Sequence, residues 1–204
     1  RGKSLQLFDS VEAINNFFGV KTLNTLVSVI NLSLLKLVKH TPKQFDVHSI
    51  ACYWDDNCEA LIGSTEDRCA KLAFYAPGYY GKNHTGIATN PTGYILTFDT
   101  ELLRDTVLQN RIHEYPFFSN NNDNIILLNK KERDMIYNCM CSINEEIQNP
   151  QDKYSQHILA AGINALLSIC MRYYERQIPK PNNTATYIIM RLNNILDNYI
   201  HTPA

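Results

Sequence analysis

A change in hydrophobic period near Phe98 constrains the fold more than any other feature of this sequence. Between Leu23 and Asp99 the chain carries five apolar runs of strand length, LVSVINL, LLKLVKH, FDVHSIACYW, CAKLAFYAP and TGYILTFD. These runs are rich in β-branched and aromatic residues, which is typical of strands. Turn residues such as Asp55-Asp56-Asn57 and Pro77-Gly78 separate them. The pattern predicts an antiparallel barrel or sandwich and not a nucleotide-binding α/β sheet.

Helical periodicity dominates the second half of the chain. Asn129 with Glu132 predicts a capped helix start, and Asn149-Pro150 predicts its end. Tyr154–Gln177 then predicts a long helix capped by Asp152, and a third helix is predicted over 188–199. A short N-terminal helix is predicted from a cap at Asp9 to Gly19. The fold class is therefore predicted as α+β, an antiparallel barrel or sandwich followed by amphipathic helices.

Composition limits the classes of function. The chain has 204 residues, 45% of them hydrophobic, with a net charge of −1 and a pI near 6.6. This balance argues against a surface built to neutralise nucleic-acid phosphates. No apolar run approaches the roughly 20 residues of a membrane-spanning helix. The N-terminal residues lack an apolar core of signal-peptide length, so we expect a cytoplasmic protein with no membrane association.

Six cysteines are spread along the chain without the density of a small secreted scaffold. We predict reduced, buried thiols in preference to metal ligands. Cys139 and Cys141 are one residue apart on a predicted helix and point to different faces, which makes a poor metal clip. The sequons at Asn83 and Asn182 matter only in a secretory pathway, which nothing else in the sequence indicates.

Catalytic patterns are weak. A metal-dependent cupin enzyme would use His40, His48 or His84, but no His-x-His pair occurs. No Gly-x-Ser-x-Gly elbow and no local signature of a catalytic cysteine are present. We therefore predict a non-enzymatic protein with no catalytic residue, no bound metal and no cofactor. The metal-dependent cupin enzyme is the alternative.

Aromatic residues in the predicted strands suggest a ligand pocket. They could line a barrel interior with apolar walls and a few phenol hydroxyls. His48 and Tyr80 would add polar groups to this pocket. The candidates are Phe45, His48, Tyr53, Trp54, Tyr75, Tyr80, Tyr94 and Phe98, with Phe74 as a further interior aromatic. The alternative that these side chains only fill the core stays open.

The helix predicted over Tyr154–Gln177 carries an apolar stripe that needs a partner surface. Its strict positions are Leu159, Ile163, Leu166, Cys170 and Tyr173, and these five residues are the candidates for a contact with a second copy of the chain. Ile158, Ala161, Ala165 and Ile169 widen the stripe, so one side of the helix can cover its own domain while another side meets a second surface.

Five stretches carry a family resemblance: FDSVEAINNFFGVKTLNTLVSVIN, LAFYAPGY, GYILTFDTELLRDTVLQNRIHEYPFFS, LNKKERDMI and QDKYSQHILAAGINALLSICMRYYERQ. Together they resemble the N-terminal sensory domain of AraC-type transcription regulators of Bacteroidetes-like bacteria, over about Phe8 to Tyr199.

The resemblance implies a cupin-like effector-binding barrel over 1–124 and a helical dimerisation and linker region over 125–204. It also implies a homodimer, a small-molecule effector, and DNA contact only through a C-terminal helix-turn-helix domain that this chain does not contain. A structural dimer module without a ligand is a further alternative.

Overall fold

A computed structural model of the chain describes residues 6–34, 43–54, 69–81, 92–118 and 125–177. Two sheets and three α-helices make up this part. The strands are β1 (Gln6–Phe8), β2 (Val27–Asn31), β3 (Lys43–Phe45), β4 (His48–Trp54), β5 (Ala70–Tyr75), β6 (Tyr79–Gly81), β7 (Thr92–Phe98) and β8 (Ile125–Leu128). The helices are α1 (Val11–Phe18), α2 (Lys130–Gln148) and α3 (Ser155–Gln177). The predicted α+β class is confirmed.

The larger sheet has the strand order β2-β7-β4-β5-β8 and is antiparallel throughout. In β4 the alternate residues Ile50 and Cys52 are almost fully buried against the helices, as the period of two requires. β8 pairs with β5, so the predicted helical region that starts at residue 125 opens with a strand of this sheet. No closed barrel is seen in the described residues.

The smaller sheet has the order β1-β3-β6 and lies beside α1. Here β1 and β3 run parallel. β1 lies before the predicted strands, which begin at Leu23, so this pairing was not predicted. The parallel direction is possible because α1 and β2 separate the two strands in the sequence, which leaves room for a crossover. A second core forms where Phe8, Ile14, Ile30, Phe45 and Val47 meet.

Helix α1 begins one residue later than predicted. The Ser10 hydroxyl caps the helix by accepting a hydrogen bond from the Ala13 N–H at 3.1 Å, whereas Asp9 was the predicted cap. Gly19 ends the helix with φ +67°, as predicted. The buried Asn15 then accepts a 2.7 Å hydrogen bond from the Ser28 hydroxyl and donates to Thr22. These bonds fix the segment after α1 against β2.

Helix α2 packs against both the large sheet and α3. Its predicted capping box is confirmed, since Asn129 and Glu132 bond each other's backbone N–H groups at 3.0 Å. Asp152 accepts hydrogen bonds from the Tyr154 and Ser155 N–H groups and caps α3, also as predicted. A Cβ atom added to Gly162 would lie 3.0 Å from Ile143, so this glycine lets the two helices approach closely. The third predicted helix, over 188–199, lies outside the described residues.

The cysteines divide into free and bonded groups. Cys52, Cys139, Cys141 and Cys170 carry free thiols, and Cys52 and Cys170 are buried as predicted. Cys69 is disulfide-bonded, so the prediction that all six cysteines are reduced is wrong at this residue. Spacing and density along a sequence do not show which cysteines meet in space. In the described ranges, no helix combines the length and the apolar character needed to cross a membrane.

The end of α3 is tied to the edge strand β8. The Leu127 N–H donates to Gln177 Oε1 at 2.9 Å, and Gln177 Nε2 donates to the Leu127 carbonyl at 3.2 Å. Arg176 also donates to this carbonyl and forms an ion pair with Glu132. The amide of Gln177 thus bonds both backbone groups of Leu127, as a neighbouring strand would.

We expect Gln177→Ala to lower the free energy of unfolding by about 1–2 kcal/mol, because it removes hydrogen bonds to both backbone groups of Leu127. Urea unfolding followed by circular dichroism measures the change. Glu175→Ala, an exposed position two residues earlier, is the matched control and is expected to change the free energy by less than about 0.5 kcal/mol. Equal losses in both variants would show that the Gln177 bonds contribute nothing.

Candidate functional site

Strand alternation divides the predicted pocket residues between the two faces of the large sheet. His48, Trp54, Tyr94 and Phe98 lie in register on the face covered by α2 and α3. Tyr53, Tyr75 and Phe45 belong to the opposite side, where the small sheet packs. The side chain of Tyr80 lies outside the described residues. A single pocket lined by all eight side chains is therefore not formed.

Three of the predicted pocket residues fill the core. Phe98 is fully buried, and Phe45 is 9% exposed in the second core. His48 is 6% exposed and stacks on Phe98 with ring centroids 5.2 Å apart, while the Phe118 ring meets it edge-on at 4.8 Å. Its Nδ1 atom is buried without a hydrogen-bond partner, and burial lowers the pKa of His48 to about 4. His48 is therefore neutral at pH 7.

Phenol rings gather on the sheet face opposite the helices. Tyr75 stacks on Phe45 at 4.7 Å and meets Tyr79 edge-on at 5.3 Å. Burial raises the pKa of the Tyr75 hydroxyl, and the nearby hydroxyls of Tyr53 and Tyr79 raise it further. Burial also raises the pKa of Tyr53. The hydroxyls of Tyr53 and Tyr75 stay protonated at neutral pH, so they can donate and accept hydrogen bonds.

A cavity of about 550 Å³ lies at the open edge of the large sheet. One wall is Phe18 at the end of α1 with Gly19, Val20, Lys21 and Leu23 after it. The second is the edge strand β2 with Tyr94 behind it. The third wall is α2, through Cys141, Asn144, Ile147 and Gln148. We call it the edge cavity. Its volume falls in the range of about 300–1,000 Å³ that is usual for sites of small organic ligands.

Hydrogen bonds hold the walls of the edge cavity in place. Asn31 Nδ2 donates to the Tyr94 hydroxyl at 3.2 Å, and the Tyr137 ring of α2 lies 5.1 Å from the Tyr94 ring. Outside the cavity lining, Asn24 Nδ2 donates to the Gln151 side chain at 3.2 Å, which joins the segment after α1 to the turn between α2 and α3. The cavity is thus bounded by elements that are tied to one another.

Among the predicted pocket residues whose side chains the structure describes, Tyr94 alone lines the edge cavity. Lys21, Asn144 and Gln148 were not among the predicted pocket residues, because the sequence pattern predicted a ligand between the strands. A weak signal was present, since Asn144 and Gln148 are polar residues four apart on one face of α2. No motif in the sequence distinguishes them from ordinary surface residues.

The predicted dimerisation residues are covered by their own chain. Leu159 is 1% exposed, and Ile163, Leu166 and Cys170 are fully buried in the core formed with the sheet and α2. Tyr173 is half-buried beside this core, with Arg176 5.6 Å from its ring. In this structure the first four side chains present no surface to a partner.

The exposed face of α3 instead carries three of the four residues that widen the stripe, Ile158, Ala161 and Ala165, and Tyr154 lies directly before the helix on the same side. Tyr154 is 56% exposed, Ile158 is 50% exposed, and Ala161 and Ala165 are exposed. They follow one another at steps of four, three and four, so they lie along one side of the helix. We call these four residues the outer stripe.

Metal ligands do not converge in the ranges that the structure describes. No three His, Cys, Asp or Glu side chains there form a group that could hold a metal ion. The enzyme alternative would use three histidines. His48 packs against the rings of Phe98 and Phe118, and His40 and His84 lie outside the described residues.

No protein-family model matches the chain, and no curated protein is significantly similar to it.

Proposed function

We propose that this chain is the effector-binding and dimerisation domain of an AraC-type transcription regulator whose DNA-binding domain lies outside the chain. The observation that carries the proposal is a continuous path of packing from a ligand-sized cavity to an exposed helix face. The edge cavity contacts α2, α2 packs on α3, and α3 presents the outer stripe. The resemblance to AraC-type sensory domains supplies the regulatory role. It also supports a cupin-like barrel as the complete form of the two sheets.

The mechanism follows from this path. An effector in the edge cavity would contact Asn144, Ile147 and Gln148 and favour one position of α2 over another. Ile143, on the same helix, lies against Gly162 of α3, so a shift of α2 changes the position of α3. The effector can shift the equilibrium between the two arrangements of α2 and α3 only by as much as its affinities for them differ, and this limits its effect on the outer stripe.

Two copies would pair through the outer stripe. Tyr154 and Ile158 expose large apolar surfaces, and the small side chains of Ala161 and Ala165 let a second helix approach closely. Pairing removes this apolar surface from water, which favours association. The dimer proposed from the sequence is kept, but its contact residues move from the buried stripe to the exposed one.

The regulatory role places the protein in the cytoplasm, where DNA is reached. The disulfide at Cys69 argues the other way, because such bonds are rare in cytoplasmic proteins. Trapping thiols with a maleimide in acid-quenched cells separates the two locations. A regulator in the cytoplasm is expected to have Cys69 labelled, and a protected Cys69 would contradict the proposed location.

We expect Ala165→Arg to convert a dimer into a folded monomer, because it places a charged side chain in the middle of the outer stripe. Sedimentation equilibrium measures the association, and a loss of at least about 100-fold in dimer affinity is predicted. Leu166→Arg is the neighbouring comparison. It places the charge in the core and is expected to unfold the chain. If Leu166→Arg is a folded monomer and Ala165→Arg is still a dimer, the dimer contact is formed by the stripe that contains Leu166 and not by the outer stripe.

A reporter experiment tests the function. The chain is fused to a DNA-binding domain that represses a reporter gene only as a dimer. Wild type is expected to repress, and Ala165→Arg is expected to relieve repression at equal protein levels. Asn144→Trp, which fills the edge cavity, is expected to repress without responding to added metabolites. Failure of the wild-type fusion to repress would contradict the dimer, and an unchanged metabolite response in Asn144→Trp would show that the effector binds elsewhere.

A further inference from the structure

We propose that the edge cavity binds a small organic anion with an apolar body, such as an arylalkyl carboxylate, and that Lys21 is its counter-ion. This inference rests on the proposed function, because it names the chemical class of the effector. Three features of the cavity carry it: the sign of its charge, the hydrogen-bond donors that lack partners, and the apolar surface at its mouth.

The charge that the described residues bring to the cavity is positive. Lys21 is the only charged residue among the described residues that line it, and none of those residues is an Asp or Glu. No ion pair of Lys21 occurs within the described ranges. A bound cation would meet an uncompensated like charge here, whereas a carboxylate would meet a cation. The electrostatic preference therefore favours an anion over a cation or a neutral molecule.

The polar groups of α2 add hydrogen-bond donors. The side-chain amides of Asn144 and Gln148 lie on the same wall, one turn apart. Neither amide has a hydrogen bond to another described residue. Each NH₂ group can donate to a carboxylate oxygen, and hydrogen bonds to a charged acceptor are stronger than neutral ones. The cavity thus offers a cation and two amide donors to one anionic group.

Apolar side chains form the remainder of the site. Leu23 is 54% exposed and Leu34 is 78% exposed, and both line the cavity with Phe18 and Ile147. A ligand body that covers the two leucines removes their apolar surface from water. A ring can also pack against Phe18. A small inorganic anion would leave this surface exposed, so the apolar body is part of the inference.

Isothermal titration with three matched probes tests the ligand class. The probes are 3-phenylpropanoate, 3-phenylpropan-1-ol and 3-phenylpropylammonium, which share one body and differ in charge. For wild type we expect 3-phenylpropanoate to bind with a Kd of about 1 mM or lower, about tenfold tighter than the alcohol, with no measurable binding of the ammonium. Lys21→Met is expected to remove the tenfold preference. Lys131→Met, an exposed lysine at the start of α2, is expected to keep it.

Each other outcome overturns the inference. Equal binding of acid and alcohol, or a preference that survives in Lys21→Met, excludes Lys21 as a counter-ion. Tighter binding of the ammonium reverses the charge, and no binding of the acid up to 10 mM removes the anion class. The reporter response of Asn144→Trp distinguishes a wrong ligand class from a wrong proposed function. If a neutral or cationic metabolite elicits a reporter response that Asn144→Trp abolishes, the effector function stands and only the ligand class is wrong.

Discussion

Replacing Gly93 with alanine is expected to lower the free energy of unfolding by at least about 3 kcal/mol, because the new methyl group has no space. Gly93 lies opposite Tyr53 in the β4–β7 ladder with φ +149°, a conformation that side chains rarely adopt. A Cβ atom here would lie 2.1 Å from the Cys52 carbonyl oxygen and 2.7 Å from the Tyr53 Cα. Both contacts are to backbone at the centre of the sheet, so neither can be relieved by a side-chain rotation.

Gly78→Ala is the matched control for this prediction. Gly78 also has a positive φ, +83°, but an added Cβ atom would meet nothing within 4 Å. Its substitution is expected to cost only about 1 kcal/mol, from the backbone conformation alone. Chemical denaturation of the three proteins measures the difference. Similar losses in Gly93→Ala and Gly78→Ala would mean that β4 and β7 do not approach as closely as described.

Acidification from pH 7 to pH 4 is expected to cost about 3 kcal/mol of folding stability through His48 alone. Burial lowers the pKa of His48 in the folded protein from 6.5 to about 4, with a smaller opposing effect from Asp99. Between these values the unfolded chain binds a proton that the folded chain does not, so stability rises with pH. The contribution is complete above pH 6.5 and is lost as the pH falls toward 4.

His48→Phe is expected to remove this part of the pH dependence. The substitution keeps a ring stacked on Phe98 and replaces the unpartnered Nδ1 with carbon, so it is also expected to stabilise the protein at pH 7 by about 1–2 kcal/mol. His157→Gln, at an exposed position on α3, is expected to retain the wild-type slope. Urea midpoints at pH 4, 5, 6 and 7 provide the test. A slope unchanged in His48→Phe would show that another group causes the acid sensitivity.

The elements of the fold were largely readable from the sequence, because they depend on local signals. The capping box at Asn129, the stop at Gly19 and the Asp152 cap are set by residues within a few positions of one another. The parallel pairing of β1 with β3 was not readable, since contacts between distant segments decide which strands become neighbours.

The site was less predictable than the fold. The period of two separates His48 and Tyr53 to opposite faces, yet a list of strand aromatics does not show which face carries a cavity. The helical period similarly predicted an apolar stripe on α3. It did not predict which side of this stripe the sheet would cover. Lys21 and Gln148 are 127 positions apart in the sequence. Both line the edge cavity only because α2 packs beside the segment after α1.

The most direct test of the account is the dimerisation constant of the chain with and without 3-phenylpropanoate, measured by sedimentation equilibrium. If a ligand in the edge cavity alters the outer stripe through α2, a saturating concentration of the acid is expected to change the dimerisation constant by at least about fivefold. Asn144→Trp is expected to dimerise with a constant that the acid does not alter. An unchanged wild-type constant, with the acid shown to be bound, would contradict the coupling of the cavity to the dimer.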